Sequence, residues 1–230
     1  PVFVLSQNTP MRVESVEGKV WLVVGKKREK LAVGPIAHRS QVVCERGAKA
    51  VVVMPEGSKA ILLPPPMGCV RTFATFRKTS SDRFSVYLHE GALKALFATT
   101  RFCVVAGGMF AVEPNSDKAR AGAKYIAEAM VRVVRMKEKR WWFVFAVAGD
   151  IKVSLGGSGA SVVVPEDEVA LLRFDGEKRR WEVKADEANE KSIVVQGRDG
   201  KKREVAPEES VEICADRREK DYGLIVPPPP

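Results

Sequence analysis

The sequence predicts a mainly β protein, made of short antiparallel strands in a sandwich-like or β-helix-like arrangement, with one inserted helix over residues 116–134. Three observations carry this. First, Ala48 to Met54 and Lys59 to Leu63 are apolar, β-branched runs on either side of Pro55-Glu56-Gly57-Ser58, which reads as a hairpin whose Gly57 takes φ > 0. Second, a glycine beside an acidic residue punctuates the whole chain, at Glu17-Gly18, Glu56-Gly57, Glu90-Gly91, Gly149-Asp150, Asp175-Gly176 and Asp199-Gly200, and a strand-like run follows each. Third, the apolar period is two nearly everywhere and becomes three and four only after Asn115.

In chain order, Val2 to Leu5 reads as a short strand and Gln7 to Pro10 as a turn. A run from Met11 to Val24 follows, interrupted at Gly18. Leu31, Val33, Ile36, Val42 and Val43 form short pieces that lead into the hairpin, and Pro64-Pro65-Pro66 stops its second strand because proline cannot donate to a ladder. Val70 to Phe76, Phe84 to Leu88, Phe102 to Ala106 and Met109 to Val112 are further strands. Asn115 and Ser116 then offer N-caps to Ala119, Ala123, Ile126, Ala127 and Met130, whose spacing predicts the helix. Period two returns with Trp142 to Val147, Ile151 to Leu155, Val162 to Val164, Val169 to Phe174, Trp181 to Val183, Ile193 to Val195, Lys202 to Val205 and Val211 to Ile213.

The chain has 230 residues, of which 45% are hydrophobic, enough for a substantial core. Its 38 Lys plus Arg against 29 Asp plus Glu give +9, which suits an acidic protein, a nucleic acid or an anionic surface. The longest strongly apolar run, Trp141 to Gly149, falls well short of the roughly twenty residues of a spanning helix. The chain begins at Pro1 with no leader in view, which is compatible with a removed signal peptide or anchor. Cys44, Cys69, Cys103 and Cys214 match no metal or redox spacing; they read equally as disulfide partners in an oxidising compartment or as buried thiols.

No catalytic or cofactor-binding constellation stands out. His38 and His89 are the only imidazoles and neither has a ligand-type residue at i+3 or i+4. Gly156-Gly157-Ser158-Gly159-Ala160-Ser161 lacks the last glycine of a nucleophile elbow and the lysine of a phosphate loop, so it reads as a hairpin loop. Glu166-Asp167-Glu168 reads as a solvated turn. The remaining candidates are two basic-aromatic clusters, Lys137-Glu138-Lys139-Arg140-Trp141-Trp142 and Lys178-Arg179-Arg180-Trp181, in which Lys139, Arg140, Trp141, Arg179, Arg180 and Trp181 are the candidate contacts, with Lys26-Lys27-Arg28 and Lys201-Lys202-Arg203 similar in kind. Such clusters serve either as contacts for a partner or polyanion, with a base stacking on the ring, or as guards against edge-to-edge strand pairing. The acids among them, Glu138, Glu177 and Glu182, oppose phosphate binding.

The stretch from Val16 to Thr72 resembles the FecR-like domain. The resemblance lies in Glu17-Gly18-Lys19-Val20, Leu31-Ala32-Val33-Gly34, Gly47 to Val53 and above all Pro55-Glu56-Gly57-Ser58-Lys59-Ala60-Ile61-Leu62-Leu63-Pro64. Residues 84–176 are similar more loosely, through Leu88 to Gly91, Phe102 to Val105 and Val147 to Val153. The resemblance implies a β-rich extracytoplasmic domain of the bacterial envelope, over residues 1–185, that senses or signals through protein-protein contact without catalysis. Residues 186–226 then form a C-terminal β extension and 227–230 a polyproline linker fragment. A protein partner, no cofactor and a periplasmic location are expected. The alternative is a basic nucleic-acid-binding module.

Overall fold

A computed structural model describes residues 10–80, 83–115, 123–136, 139–215 and 224–225, and these residues form two sheets of eleven strands each. β1 (Met11–Glu17) enters sheet I, β2 (Val20–Val24) and β3 (Lys27–Lys30) enter sheet II, β4 (Gly34–Ile36) returns to sheet I and β5 (Gln41–Cys44) to sheet II. From there the chain deals out hairpins alternately. β6 (Lys49–Val53) and β7 (Lys59–Leu63) join sheet I; β8 (Thr72–Lys78) and β9 (Phe84–Glu90) join sheet II. β10 (Ala92–Phe97) crosses to sheet I alone, and β11 (Phe102–Ala106) and β12 (Phe110–Pro114) return to sheet II. β13 (Ala127–Met136) and β14 (Lys139–Ala148) belong to sheet I, β15 (Ile151–Leu155) and β16 (Ser161–Val164) to sheet II. β17 (Val169–Asp175) and β18 (Arg180–Ala185) continue sheet I, β19 (Ile193–Gln196) and β20 (Lys202–Val205) sheet II, and β21 (Ser210–Cys214) with β22 (Leu224–Ile225) close sheet I.

A hairpin reverses the chain within its sheet, so neighbouring strands are antiparallel. The lone crossing of β10 is the exception: it brings the chain back to sheet II in its original direction, and β9 and β11 pair in parallel, Val86 opposite Val104. That single coil is the β-helix-like element of an otherwise antiparallel sandwich.

The acidic-glycine phrases divide by role. Glu56-Gly57, Asp175-Gly176 and Asp199-Gly200 turn hairpins inside one sheet, whereas Glu17-Gly18, Glu90-Gly91 and Gly149-Asp150 carry the chain from one sheet to the other. Gly57 has the expected positive φ, +96°. The tightest crossing is Gly91, the only residue between β9 and β10. Its φ is +92°, and a Cβ there would lie 2.5 Å from Thr72 Cα, so only glycine fits. The Thr72 hydroxyl accepts the Ala92 amide at 3.2 Å, which fixes the first residue after the crossing.

Both sheets close over one core. In sheet I, Ala60, Ala95, Ala129 and Ala146 lie side by side across four strands, all fully buried. Bulk in the core comes from both layers, from Leu62, Phe97 and Trp181 in sheet I and from Phe76, Leu88 and Phe102 in sheet II, all fully buried.

The helix expected over 116–134 is a correction. Residues 116–122 lie outside the described residues, and Ala127–Met136 is a strand paired with both β10 and β14. Ala127, Ala129, Val131 and Val133 face the core, alternating with Glu128, Met130, Arg132 and Val134. Alanine fits either period, so spacing alone misled. Over Glu128 to Arg132 a neighbouring strand on each side offers the backbone groups partners, which outweighs the fraction of a kcal/mol per residue by which alanine and glutamate favour helix. The Asn115 amide, read as part of an N-cap, bonds to the Asp150 carbonyl at 3.0 Å.

Among the described residues no helix is long and apolar enough to cross a membrane. Cys44, Cys69 and Cys103 are free thiols. Burial pushes the Cys44 thiol up to about 12 and the Cys103 thiol to about 11, the latter helped by the charge of Glu113 and opposed by Arg83.

Candidate interaction groove

At one end of the sandwich the two layers do not seal. Sheet I contributes the starts of β14 and β18 and the end of β17; sheet II contributes the end of β9 and the glycine turns that follow β11 and β15. Alternation along β14 sends Trp142 inward, 2% exposed, and Arg140, on the same side but beyond the core's edge, into the opening. The Arg140 guanidinium lies over the Trp142 ring, 5.1 Å from its centroid, and donates to the His89 carbonyl at 2.9 Å. It thus ties sheet I to sheet II across the mouth. Trp181 makes a second tie, its Nε1–H donating to the Gly156 carbonyl at 3.1 Å.

Three hollows follow one another between these ties. One of about 260 Å³ is lined by Gly68, Cys69, Arg71, Phe73, His89, Glu90, Val133 and Arg140. The second, about 230 Å³, shares His89 and Arg140 with the first and adds Gly107, Met109, Trp142 and Phe174. The third, about 260 Å³, shares Met109 and Phe174 and reaches Gly156 and Trp181. They form a continuous groove with an aromatic floor, in which Phe110 meets Trp142 edge-on at 5.7 Å and Trp181 at 6.0 Å, and Phe174 packs against Trp181 at 5.2 Å.

The first hollow owes its shape to a bulge. Phe73 pairs with Glu90 but Ala74 with Leu88, so His89 is an extra residue. It brings His89 and Glu90 to one hollow, although adjacent residues of a regular strand would face opposite ways. The His89 ring lies against Phe73, centroids 4.6 Å apart, and its Nε2 meets the Thr75 hydroxyl at 2.9 Å. Partial burial and then the Arg77 charge hold its pKa below the usual histidine value, so it is neutral at pH 7. A hydroxyl beside a neutral imidazole has the reach of a nucleophile and its base. Here, however, Thr75 is 4% exposed and sits in the middle of a strand, closed to a substrate. Arg71 lies 3.4 Å from Glu90 and 5.4 Å from the Phe73 ring centroid. Beside it, the loop after the three prolines holds Met67 and Val70 out to solvent, 97% and 83% exposed.

The six residues singled out in the sequence are separated. Arg140 enters the groove and Trp181 floors its far end, 1% exposed. Lys139 is exposed beside Arg140. Trp141 points to the outer face of sheet I, 6% exposed, with the Arg173 guanidinium 5.5 Å from its ring centroid. Arg180 pairs with Glu212 at 3.2 Å, and Arg179 occupies a turn at φ +49° with its carbonyl accepting the Ala215 amide. Neither tryptophan offers a ring face to a stacked base. The two related clusters land on the outermost strands of sheet II, Lys27–Lys30 and Lys202–Val205, where charge blocks further pairing. Sequence reasoning passed over Phe174, Met109, Arg71 and Phe73. Trp142 lay in the first cluster but was not singled out as a contact, although adjacent tryptophans on one strand must take opposite faces.

No family model, curated protein or solved structure matches this chain.

Proposed function

We propose that this protein is a non-enzymatic interaction domain, acting in the extracytoplasmic compartment in the manner of the FecR-like domains it resembles, and that the end groove receives an extended segment of a partner protein. The observation that carries this is Arg140, a cation held on the face of Trp142 between two hollows and fixed from behind by the His89 carbonyl. A guanidinium so placed has little rotamer freedom left to lose on binding, and presents its remaining N–H groups to a carboxylate. The aromatic floor on one side and Met67 and Val70 on the other offer apolar contact to neighbouring residues of the same segment. The fitting partner is therefore a chain carrying an acidic residue flanked by apolar ones. With both candidate tryptophans buried, no observation favours the nucleic-acid reading.

The test is a photo-crosslinking residue at Met67, used in intact cells, comparing the unaltered groove with Arg140→Glu. A defined cross-linked protein lost in Arg140→Glu at unchanged melting temperature supports the proposal. Cross-links indifferent to Arg140 overturn it. So does submicromolar binding of single-stranded DNA at about 0.15 M salt, where the Debye length is near 8 Å, that disappears on Arg140→Glu plus Arg179→Glu.

A further inference from the structure

The outermost strands of the sandwich are blunted against further pairing. Sheet II ends in charge, at Lys27–Lys30 and Lys202–Val205. Sheet I ends in β4, three residues with Pro35 at their centre, and in β22, which is two residues long. A further edge lies within sheet I, at residues 134–136 of β13, and it has no proline and a single charged residue.

This edge arises where the chain leaves the sheet. β10 pairs with β13 from Phe97 opposite Ala127 to Ala92 opposite Arg132, and then crosses to sheet II at Gly91. β13 runs on to Met136, paired with β14 to its end, where Met136 lies opposite Lys139. On the side of β10 the Val133 amide still reaches the Gly91 carbonyl at 3.0 Å. Beyond it, among the described residues, no strand pairs with residues 134–136 on that side. Backbone groups alternate along a strand, so Arg135, two residues past Val133, turns its N–H and C=O the same way as Val133. β7, on the far side of β10, stops at Leu63 opposite Ala92, and the three prolines after it have no N–H to offer. The lane that β10 leaves opens on the first hollow of the end groove, whose lining includes Val133, Glu90 and Arg140.

We propose that the partner's segment enters this lane as an added strand of sheet I, exchanging backbone hydrogen bonds with Arg135 in the place that β10 vacates. This rests on the reading of the end groove as the seat of an extended segment, and adds how that segment is held.

Two features choose the occupant. A free strand edge pairs with an amide backbone, which neither a nucleic acid nor a lipid has. Residues directly opposite on neighbouring strands face the same side. Arg140 is opposite Arg135, so the partner residue set opposite Arg135 stands in the row of Arg140 and faces the hollow. There Arg71 and Arg140 bring two guanidinium groups against the one carboxylate of the lining, Glu90. An aspartate or glutamate at that position fits. A second copy of this chain is a poor occupant, because its outermost sheet II strands, KREK and KREV, would bring lysine and arginine to the same place.

Arg135→Pro tests the added strand directly, because the N–H it removes points away from β14 and no bond between β13 and β14 is lost. The readout is the photo-crosslinking residue at Met67 in intact cells, compared among the unaltered chain, Arg135→Pro, Arg135→Gln and Arg140→Glu. The expected result is a defined cross-linked protein that is lost in Arg135→Pro and in Arg140→Glu and kept in Arg135→Gln. A cross-link lost in Arg140→Glu but kept in Arg135→Pro overturns the added strand and leaves the groove reading standing. Equal loss in Arg135→Gln, which keeps the N–H, overturns it too. No defined cross-link, or one indifferent to Arg140, overturns both readings. Because proline can also bend a strand, amide exchange in the isolated protein gives a second measurement. The Arg135 amide should exchange at least about a hundredfold faster than those of Val133 and Val134, which face Gly91 and β14. An Arg135 amide as slow as its neighbours is already paired within the monomer and overturns the inference.

Discussion

The two outer faces of the sandwich differ over their middle strands, although sheet II carries an apolar trio of its own, Trp21, Val43 and Phe73, toward one edge. Outside sheet I the central strands show Met130, Trp141, Phe143, Phe145 and Leu171. Outside sheet II the corresponding positions hold Val105, Ala111, Ser154, Ser161 and Gln196, aligned in one row across five strands. A sheet needs only one apolar face to build the core, so sheet II shows what folding requires and sheet I shows what has been added. Part of what has been added is packed within the monomer, since Trp141 and Leu171 are 6% and 3% exposed.

The sharpest way to test the division is to truncate neighbouring tryptophans that face opposite ways. Trp142→Ala removes a core side chain beneath Phe110 and the Arg140 tie, and should cost about 3–5 kcal/mol. Trp141→Ala removes an outer side chain and one cation-aromatic contact, and should cost about 1–2 kcal/mol in dilute solution. Urea denaturation in dilute solution compares them. Equal losses would mean that the outer face is as much a part of the monomer's core as the inner one.

A smaller effect comes from exchanging the faces. Phe143→Ser plus Phe145→Ser should lower binding of an apolar fluorescent dye and cost at most about 1 kcal/mol for each site, these residues being only half-buried. Ser154→Phe plus Ser161→Phe, directly opposite each other on sheet II, should raise dye binding there at little cost. If the first pair leaves dye binding unchanged, the outer patch is not an exposed apolar surface.

Much of this was legible in the sequence and some of it was not, for definite reasons. The hairpin from Lys49 to Leu63 was legible because β-branched runs, a Pro-Glu-Gly-Ser turn and a proline stop all agree. The acidic-glycine phrases were legible as chain reversals but not as two kinds. Whether Gly57 turns within a sheet or Gly91 crosses between sheets depends on which partner waits for the next strand, a long-range fact. The helix over 116–134 was misread because Ala127 and Ala129 carry no period of their own. The groove was only partly legible. Arg140 stood out by composition, but its partners come from Phe73, His89 and Met109, brought to it by sheet order and by a bulge that no local pattern announces.

Thiol chemistry separates the faces by a further, non-energetic measure. Cys103 lies half-buried on the outer side of sheet II, and burial pushes its thiol to about 11. An ordinary cysteine near 8.5 is about a quarter thiolate at pH 8, whereas one near 11 is about a thousandth, so labelling should be slower by about a hundredfold. Cys44, pushed up to about 12 inside the core, should react only on unfolding. Rapid labelling of Cys103 in the native protein, resolved by peptide mapping, would contradict a closed outer surface on sheet II.

The smallest expected effect concerns the groove and carries a definite sign. His89 has its pKa lowered in the folded chain, first by burial against its neighbours and then by Arg77. The unfolded chain, with an ordinary histidine near 6.5, therefore binds more proton than the folded one as pH falls through that value, and stability must fall with it. The contribution is fully present above about pH 6.5 and is lost progressively below it. Because the residue is largely exposed, solvent screening keeps the effect small. His89→Gln retains an acceptor for the Thr75 hydroxyl and removes the titration. Melting temperatures from about pH 5 to about pH 8 should converge for the two proteins toward the acid end if the histidine is the more stable at neutrality, and the wild-type curve should be the steeper. Parallel curves would show that His89 shapes the first hollow without linking it to pH, leaving Arg140 and Arg71 to set its charge.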